Sequence, residues 1–170
     1  MSASETRFAG VRMRYDSTKS YEELVSTLLA DIGEQPVLIN DIAATNDDWE
    51  SYQREVETHV GPSGFMLFGL FDHGAWINKA GINRKMLRVI LGNPLIAITM
   101  IRHDVSAGFF APVEVLLLDE ANGSSLTYIR PSSLMVFEEN PELLSAAEKL
   151  DAKLAALAAK VTTVGPAGNA

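Results

Sequence analysis

A chain of 170 residues, 47% of them hydrophobic, is long enough to bury one core and too apolar to be disordered. The absence of cysteine removes disulfides, thiolate nucleophiles, iron–sulfur clusters and cysteine-built zinc sites, and it fits a reducing, cytoplasmic setting. A formal net charge of −8, with the 14 Lys and Arg scattered along the chain, argues against nucleic acid as a partner.

The N-terminal MSASETRFAG lacks the basic segment and apolar run of a secretory signal. Residues Phe8 to Tyr15 alternate, with Ala9, Val11, Met13 and Tyr15 on the apolar side, and read as a half-buried strand. A helix is predicted from about Ser20 to Ile32. Ser20 and Glu23 have capping-box spacing, Leu24, Leu28 and Ile32 form a stripe, and Gly33 suits the residue after the last turn. The apolar segment Pro36 to Ile42 reads as a short strand. Asn46 suits the N-cap of a second helix, from about Asp47 to Val60, with Trp49, Tyr52 and Val56 inward; Gly61-Pro62-Ser63-Gly64 ends it.

Phe65 to His73 is apolar on both faces, which predicts a strand covered on both sides. It contains the longest apolar stretch in the chain, far short of the roughly 20 residues that span a bilayer, so no membrane partner is expected. Ala75 to Ala80 reads as a short helix closed by Gly81. Met86 to Leu91 is a strand stopped by Gly92-Asn93-Pro94, and Pro94 suits the first turn of a helix running to about His103. Val113 to Leu118 and Ser125 to Arg130 are strands joined at Asn122-Gly123, a strong hairpin signal. A last helix runs from about Pro141 to Lys160 on the stripe Leu143, Leu144, Ala147, Leu150, Leu154 and Leu157. Hairpin and helices together predict one α+β domain over residues 1–161, with a mainly antiparallel sheet packed against helices. A flexible tail is expected over 162–170.

Three polar features stand out. Asp72-His73 lies at the exit of the most apolar strand, and histidine suits proton transfer. Adjacent strand residues face opposite ways, so the two side chains meet only if Gly74 turns the chain. Otherwise His73 is a buried imidazole satisfied by a backbone carbonyl. Asn93, in Gly92-Asn93-Pro94, either presents the following helix N-terminus to a ligand or simply caps it. Glu114 interrupts an apolar strand; it is either a buried carboxylate partnered by Tyr128 or Arg130, or a carboxylate on a face open to solvent. The histidines at 59, 73 and 103 share no metal-ligand spacing, and no GxGxxG, P-loop or GxSxG pattern occurs. No metal and no cofactor are expected, with a haem or metal on His73 or His103 as the weaker option.

The ordered pieces Phe71-Asp72-His73, Ala80-Gly81, Gly92-Asn93-Pro94, Pro112-Val113-Glu114-Val115, Leu118, Asn122-Gly123 and Leu126-Thr127-Tyr128 resemble domain-of-unknown-function family 302. The chain departs from that pattern after Asn-Pro, where the family has a small-residue Gly-Thr step and this chain has Leu95-Ile96. The helix from Asn46 to Val60 reads as extra or altered material. The resemblance implies a curved antiparallel sheet backed by helices and a homodimer, and it draws His73, Asn93, Glu114 and Tyr128 towards one cluster. It implies no reaction.

The expected function is a small-molecule pocket with acid–base chemistry, of isomerase, lyase or cyclase type, on an apolar carbonyl compound. His73 would move a proton, Glu114 or Asp72 would orient it, and Asn93, Tyr128 and Arg130 would bind the substrate. The alternative is a non-catalytic protein that holds an apolar ligand or a second copy.

Overall fold

The computed structural model describes residues 2–164. Five strands form one sheet: β1 (Arg12–Ser17), β2 (Met66–Asp72), β3 (Met86–Gly92), β4 (Val113–Glu120) and β5 (Gly123–Ile129). Their spatial order is β1-β5-β4-β3-β2, and every ladder is antiparallel. The helices are α1 (Tyr21–Ile32), α2 (Ile39–Thr45), α3 (Trp49–Glu57), the single turn α4 (Gly74–Ile77), α5 (Pro94–Ile101), the short α6 (Pro131–Met135) and α7 (Pro141–Thr162). The α+β class with an antiparallel sheet is as the sequence predicts.

Period-2 alternation decides which side chains meet the helices. On β3, Leu87, Val89 and Leu91 are buried; on β4, Val113, Val115 and Leu117; on β5, Leu126 and Tyr128. The ladder aligns them, with Val89 opposite Val115 and Leu117 opposite both Leu87 and Leu126. α1 lies over β4 and β5, and α7 runs against β1 and β5. α1 contributes Leu24, Leu28 and Ile32, and α7 contributes Leu143, Ala147, Leu150, Leu154, Leu157 and Val161. Each fully buried Leu or Val is worth roughly 1.5–3 kcal/mol, so this single interface supplies most of the driving force. The opposite sheet face, with Arg88, Ile90, Glu114 and Leu116, stays partly open to solvent.

Local signals held where they were chemically specific. Ser20 and Glu23 form the capping box, and Gly33 follows α1 with φ of 103°. Gly123 turns the β4–β5 hairpin at φ of 140°. Asn93 caps α5, its side chain accepting from Leu95 N–H at 2.8 Å.

Several expectations are corrected. Pro36–Ile42 is not a strand: only Val37 N–H reaches a strand carbonyl, Leu67 O at 2.8 Å, and α2 then begins at Ile39. Asp48, not Asn46, caps α3, accepting from Ser51 N–H; Asn46 closes α2 instead, through Nδ2 to Ile42 O. β1 starts at Arg12 rather than Phe8, and Leu144 faces solvent on α7. β2 is an edge strand, covered at Met66 and Leu67 but exposed from Leu70 to Asp72, with its register shifted between Leu67 and Gly69. α7 extends to Thr162; beyond 162–164, the tail expected at 162–170 lies outside the described residues.

One buried carboxylate ties three elements together. Asp31, near the end of α1, has a side chain only 3% exposed and pairs with Lys160 Nζ at 2.6 Å. It also accepts from Ser63 Oγ at 2.8 Å and from Ser63 N–H at 3.2 Å, locking the Gly61–Gly64 turn to α1 and α7. Gly61 is required where the turn passes the end of α1, since a Cβ there would sit 1.8 Å from the Asp31 backbone carbonyl oxygen. Asp31→Ala should therefore cost about 1–3 kcal/mol in chemical denaturation, because Ser63 loses its partner while the half-exposed Lys160 is rehydrated; an unchanged denaturation midpoint would show the tie to be idle.

Two phenols set a limit in alkali. Tyr128 stacks on Tyr15 at 6.1 Å, and burial, then the neighbouring Tyr15 phenol, raises its pKa. Burial, with Asp72, Glu22 and Asp119 nearby, raises Tyr21 to about 12. A phenol whose folded pKa lies above its unfolded value of about 10 keeps its full contribution below pH 10 and loses it as pH climbs towards 12. The melting temperature should fall across that window, and less steeply in Tyr128→Phe and Tyr21→Phe; equal slopes in all three proteins would contradict this.

Candidate functional site

The residues singled out in the sequence do not converge. His73 starts α4 just beyond β2, and its Nδ1 accepts from Trp76 Nε1 at 3.2 Å. The preceding carboxylate caps the same turn, Asp72 Oδ1 accepting from Ala75 N–H at 3.0 Å. Asn93 lies at the other end of the sheet. Asp72 is opposite Leu87 while Met66 is opposite Gly92, and those five steps along β3 span roughly 17 Å.

Glu114 and Tyr128 are separated by the sheet itself. Glu114 stands on the uncovered face, its side chain 53% exposed and paired with Arg88 at 2.6 Å. Tyr128 lies on the helix-covered face against Tyr15. The open-face reading of Glu114 is thus correct, and its expected partnership with Tyr128 or Arg130 is not formed. Arg130 instead donates to Met13 Sδ at 3.4 Å. The shared hollow of imidazole, amide, carboxylate and phenol is absent because two strands and a change of face intervene.

A different hollow is present. A cavity of about 520 Å³ opens beside the β3–α5 junction, within the usual range for small-molecule sites. Phe65, Met100, Val113 and Leu150 form its apolar depth; Ile96 and Ala97 of α5 line one side; Phe68 and Pro112 line another. The segment Val37–Asp41 lies across it, and α2 contributes no buried residue. Gly92 is part of the wall, where a Cβ would stand 3.0 Å from the Phe68 ring and 3.1 Å from Pro112. The Ala111–Pro112 peptide of this wall is cis.

The cavity offers little for proton chemistry. Asn93 borders it, but its Nδ2 donates to Gly64 O at 3.0 Å and its Oδ1 is taken by Leu95 N–H. The next amides of α5 are also satisfied, Ile96 and Ala97 N–H both donating to Asn93 O. The N-terminus of α5 is therefore not left free to grip an anion, and Asn93 acts as a cap. Asp41, on the exposed side of α2, is the one ionisable residue of the lining. Among the described residues, no group of three or more His, Asp or Glu side chains is placed to hold a metal ion.

Sequence reasoning missed most of this lining, yet one signal was available. α5 reads Pro-Leu-Ile-Ala-Ile-Thr-Met-Ile, apolar nearly all round, and such a helix belongs inside a protein. Only Met100 is fully buried; Pro94, Ile96 and Ala97 spend their apolar surface on the cavity.

Comparison with known proteins supports the fold. A crystal structure of an uncharacterized conserved DUF302 protein from Bacillus stearothermophilus superimposes with a TM-score of 0.63, covering 89% of this chain and 98% of that one at 17% identity. At that identity the likeness concerns the fold alone. No curated protein matches the chain. Among the described residues no helix is long and apolar enough to cross a membrane. The sequence model of the family described as Domain of unknown function DUF302 matches residues 42–161, running through the helix read as extra or altered material. The match spans well over half of the chain, which therefore belongs to the DUF302 family.

Proposed function

We propose that this protein binds a small, largely apolar molecule in the cavity between α2, α5 and the Ala111–Val113 segment. The observation that carries the reading is α5, an almost wholly apolar helix that turns Pro94, Ile96 and Ala97 to a hollow of about 520 Å³ rather than to a filled core. Recognition would come from shape and apolar contact, with Asn40 and Asp41 at the entrance as the polar edge.

A non-catalytic role is favoured over the isomerase, lyase or cyclase alternative. Acid–base catalysis needs a proton-moving group within hydrogen-bond reach of the reacting atom. His73 and Glu114, the groups suited to that role, belong to the far end and the uncovered face of the sheet.

The test is titration with N-phenyl-1-naphthylamine, an uncharged apolar fluorophore. Ala97→Phe, which fills the cavity, should weaken binding at least about tenfold, equivalent to about 1.4 kcal/mol, while His73→Ala leaves it unchanged. Because no histidine lines the cavity, affinity should also stay flat from about pH 6 to 8. Binding that survives Ala97→Phe, or that is lost in His73→Ala, would overturn the reading.

A further inference from the structure

The end of α5 and the first turns of α7 flank a second hollow, of about 490 Å³, whose wall is unlike that of the apolar cavity. α5 and its closing turn supply Thr99, Arg102 and His103; α7 supplies Glu142, Ser145 and Lys149. Residues three, four or seven apart share one side of a helix, so two polar helix faces look into one space. Asn140 Nδ2 donates to His103 O at 3.4 Å and joins the cap of α7 to the end of α5, which holds the two walls together.

The bases of this hollow lack the partners that others have. Among the described residues neither Arg102 nor Lys149 is in an ion pair, whereas Arg84, Lys85, Arg88 and Lys160 each hold a carboxylate. Arg102 commits only Nε, to Ile98 O at 3.2 Å, and its two terminal nitrogens have no partner. The carboxylate nearest to it in sequence, Asp104, accepts from Ser106 N–H at 2.8 Å instead. Lys149 has Ser145 four residues before it and Lys153 four after, so its own helix offers a like charge and no acid on that face. The dipole at the C-terminus of α5 accounts for Arg102 but not for a lysine in the middle of α7. Ser145 Oγ is also without a hydrogen-bond partner among the described residues. Leu143 and Leu144 N–H both donate to Asn140, so the donors facing the hollow are side chains and not a helix terminus.

We propose that this hollow binds the phosphate group of a small soluble monoester. A phosphate dianion presents three terminal oxygens, which match a guanidinium fork, an ammonium and a hydroxyl better than the two oxygens of a carboxylate do. His103, on the same wall, can donate one further hydrogen bond. Glu142 is the one acid of the lining and works against the phosphate. Two unpaired bases in a chain of net charge −8 cannot follow a nucleic-acid backbone, so the ligand is a single small anion. The site is separate from the apolar cavity and does not depend on that cavity being occupied.

Calorimetric titration of the whole protein tests this, at about pH 8, where the phosphate is a dianion, and about 0.1 M sodium chloride. The probes are inorganic phosphate and phenyl phosphate, each taken to about 20 mM. Saturable binding of both is expected. Arg102→Gln and Lys149→Gln should each weaken it at least about fivefold, and Glu142→Gln should tighten it at least about twofold, the scale set by single charges a few ångströms apart near a protein surface. Lys79→Gln, which removes an exposed lysine outside the hollow, should leave it unchanged. All four side chains are exposed and outside any ion pair of the described residues, so the variants should keep the parent melting temperature. No saturation with either probe would overturn the proposal. So would binding that survives both Arg102→Gln and Lys149→Gln, an equal loss in Lys79→Gln, or binding of inorganic phosphate without phenyl phosphate.

Discussion

One antiparallel sheet buries one face against helices and leaves much of the other open to solvent, and the rest of the molecule follows from that asymmetry. Leu87, Val89, Leu91, Val113, Val115, Leu117 and Leu126 are aligned by the ladder into a continuous apolar floor beneath α1 and α7. Shifting β3 or β4 by one residue would exchange buried leucines and valines for Arg88 or Glu114, a change of several large transfer free energies in the wrong direction. Register is thus fixed by burial, and with it the side of the sheet on which every polar group must stand. Arg88 and Glu114 pair on the uncovered face; Tyr128 and Tyr15 stack beneath the helices.

The cavity arises where that cover fails. The register shift between Leu67 and Gly69 falls in β2, while Val37 joins Leu67 by a single backbone hydrogen bond and α2 continues without a buried residue. α5, capped by Asn93, closes the other side with apolar side chains that have no partner of their own. A segment this lightly anchored over an apolar hollow has few buried contacts to lose if it moves, which suits the proposed binding of an apolar molecule. Asn93 serves as architecture: it fastens α5 to Gly64 and positions the cavity wall.

What the sequence made legible was local and chemically specific. The Ser20–Glu23 box, Gly33, Asn122-Gly123 and the cap at Asn93 each encode a backbone geometry within a few residues, and each is realised. The strands expected at Met86–Leu91 and Val113–Leu118 are likewise present, as β3 and β4. Pro36–Ile42 was not legible, because seven residues carry no usable period. The edge position of β2 was hidden because hydrophobicity on both faces records an aversion to water without saying whether this chain provides the cover. The expected cluster failed for a third reason. His73, Asn93, Glu114 and Tyr128 sit on four different segments, and their relation depends on strand order and register, which are set by the whole core.

The most direct measurement of the central claim is an amide and methyl NMR titration of the protein with N-phenyl-1-naphthylamine. The account predicts saturable shifts centred on Phe65, Ile96, Ala97, Met100 and Val113, with His73, Glu114 and Tyr128 unmoved. Shifts centred on His73 or on the Arg88–Glu114 face, with the α5 residues silent, would contradict it.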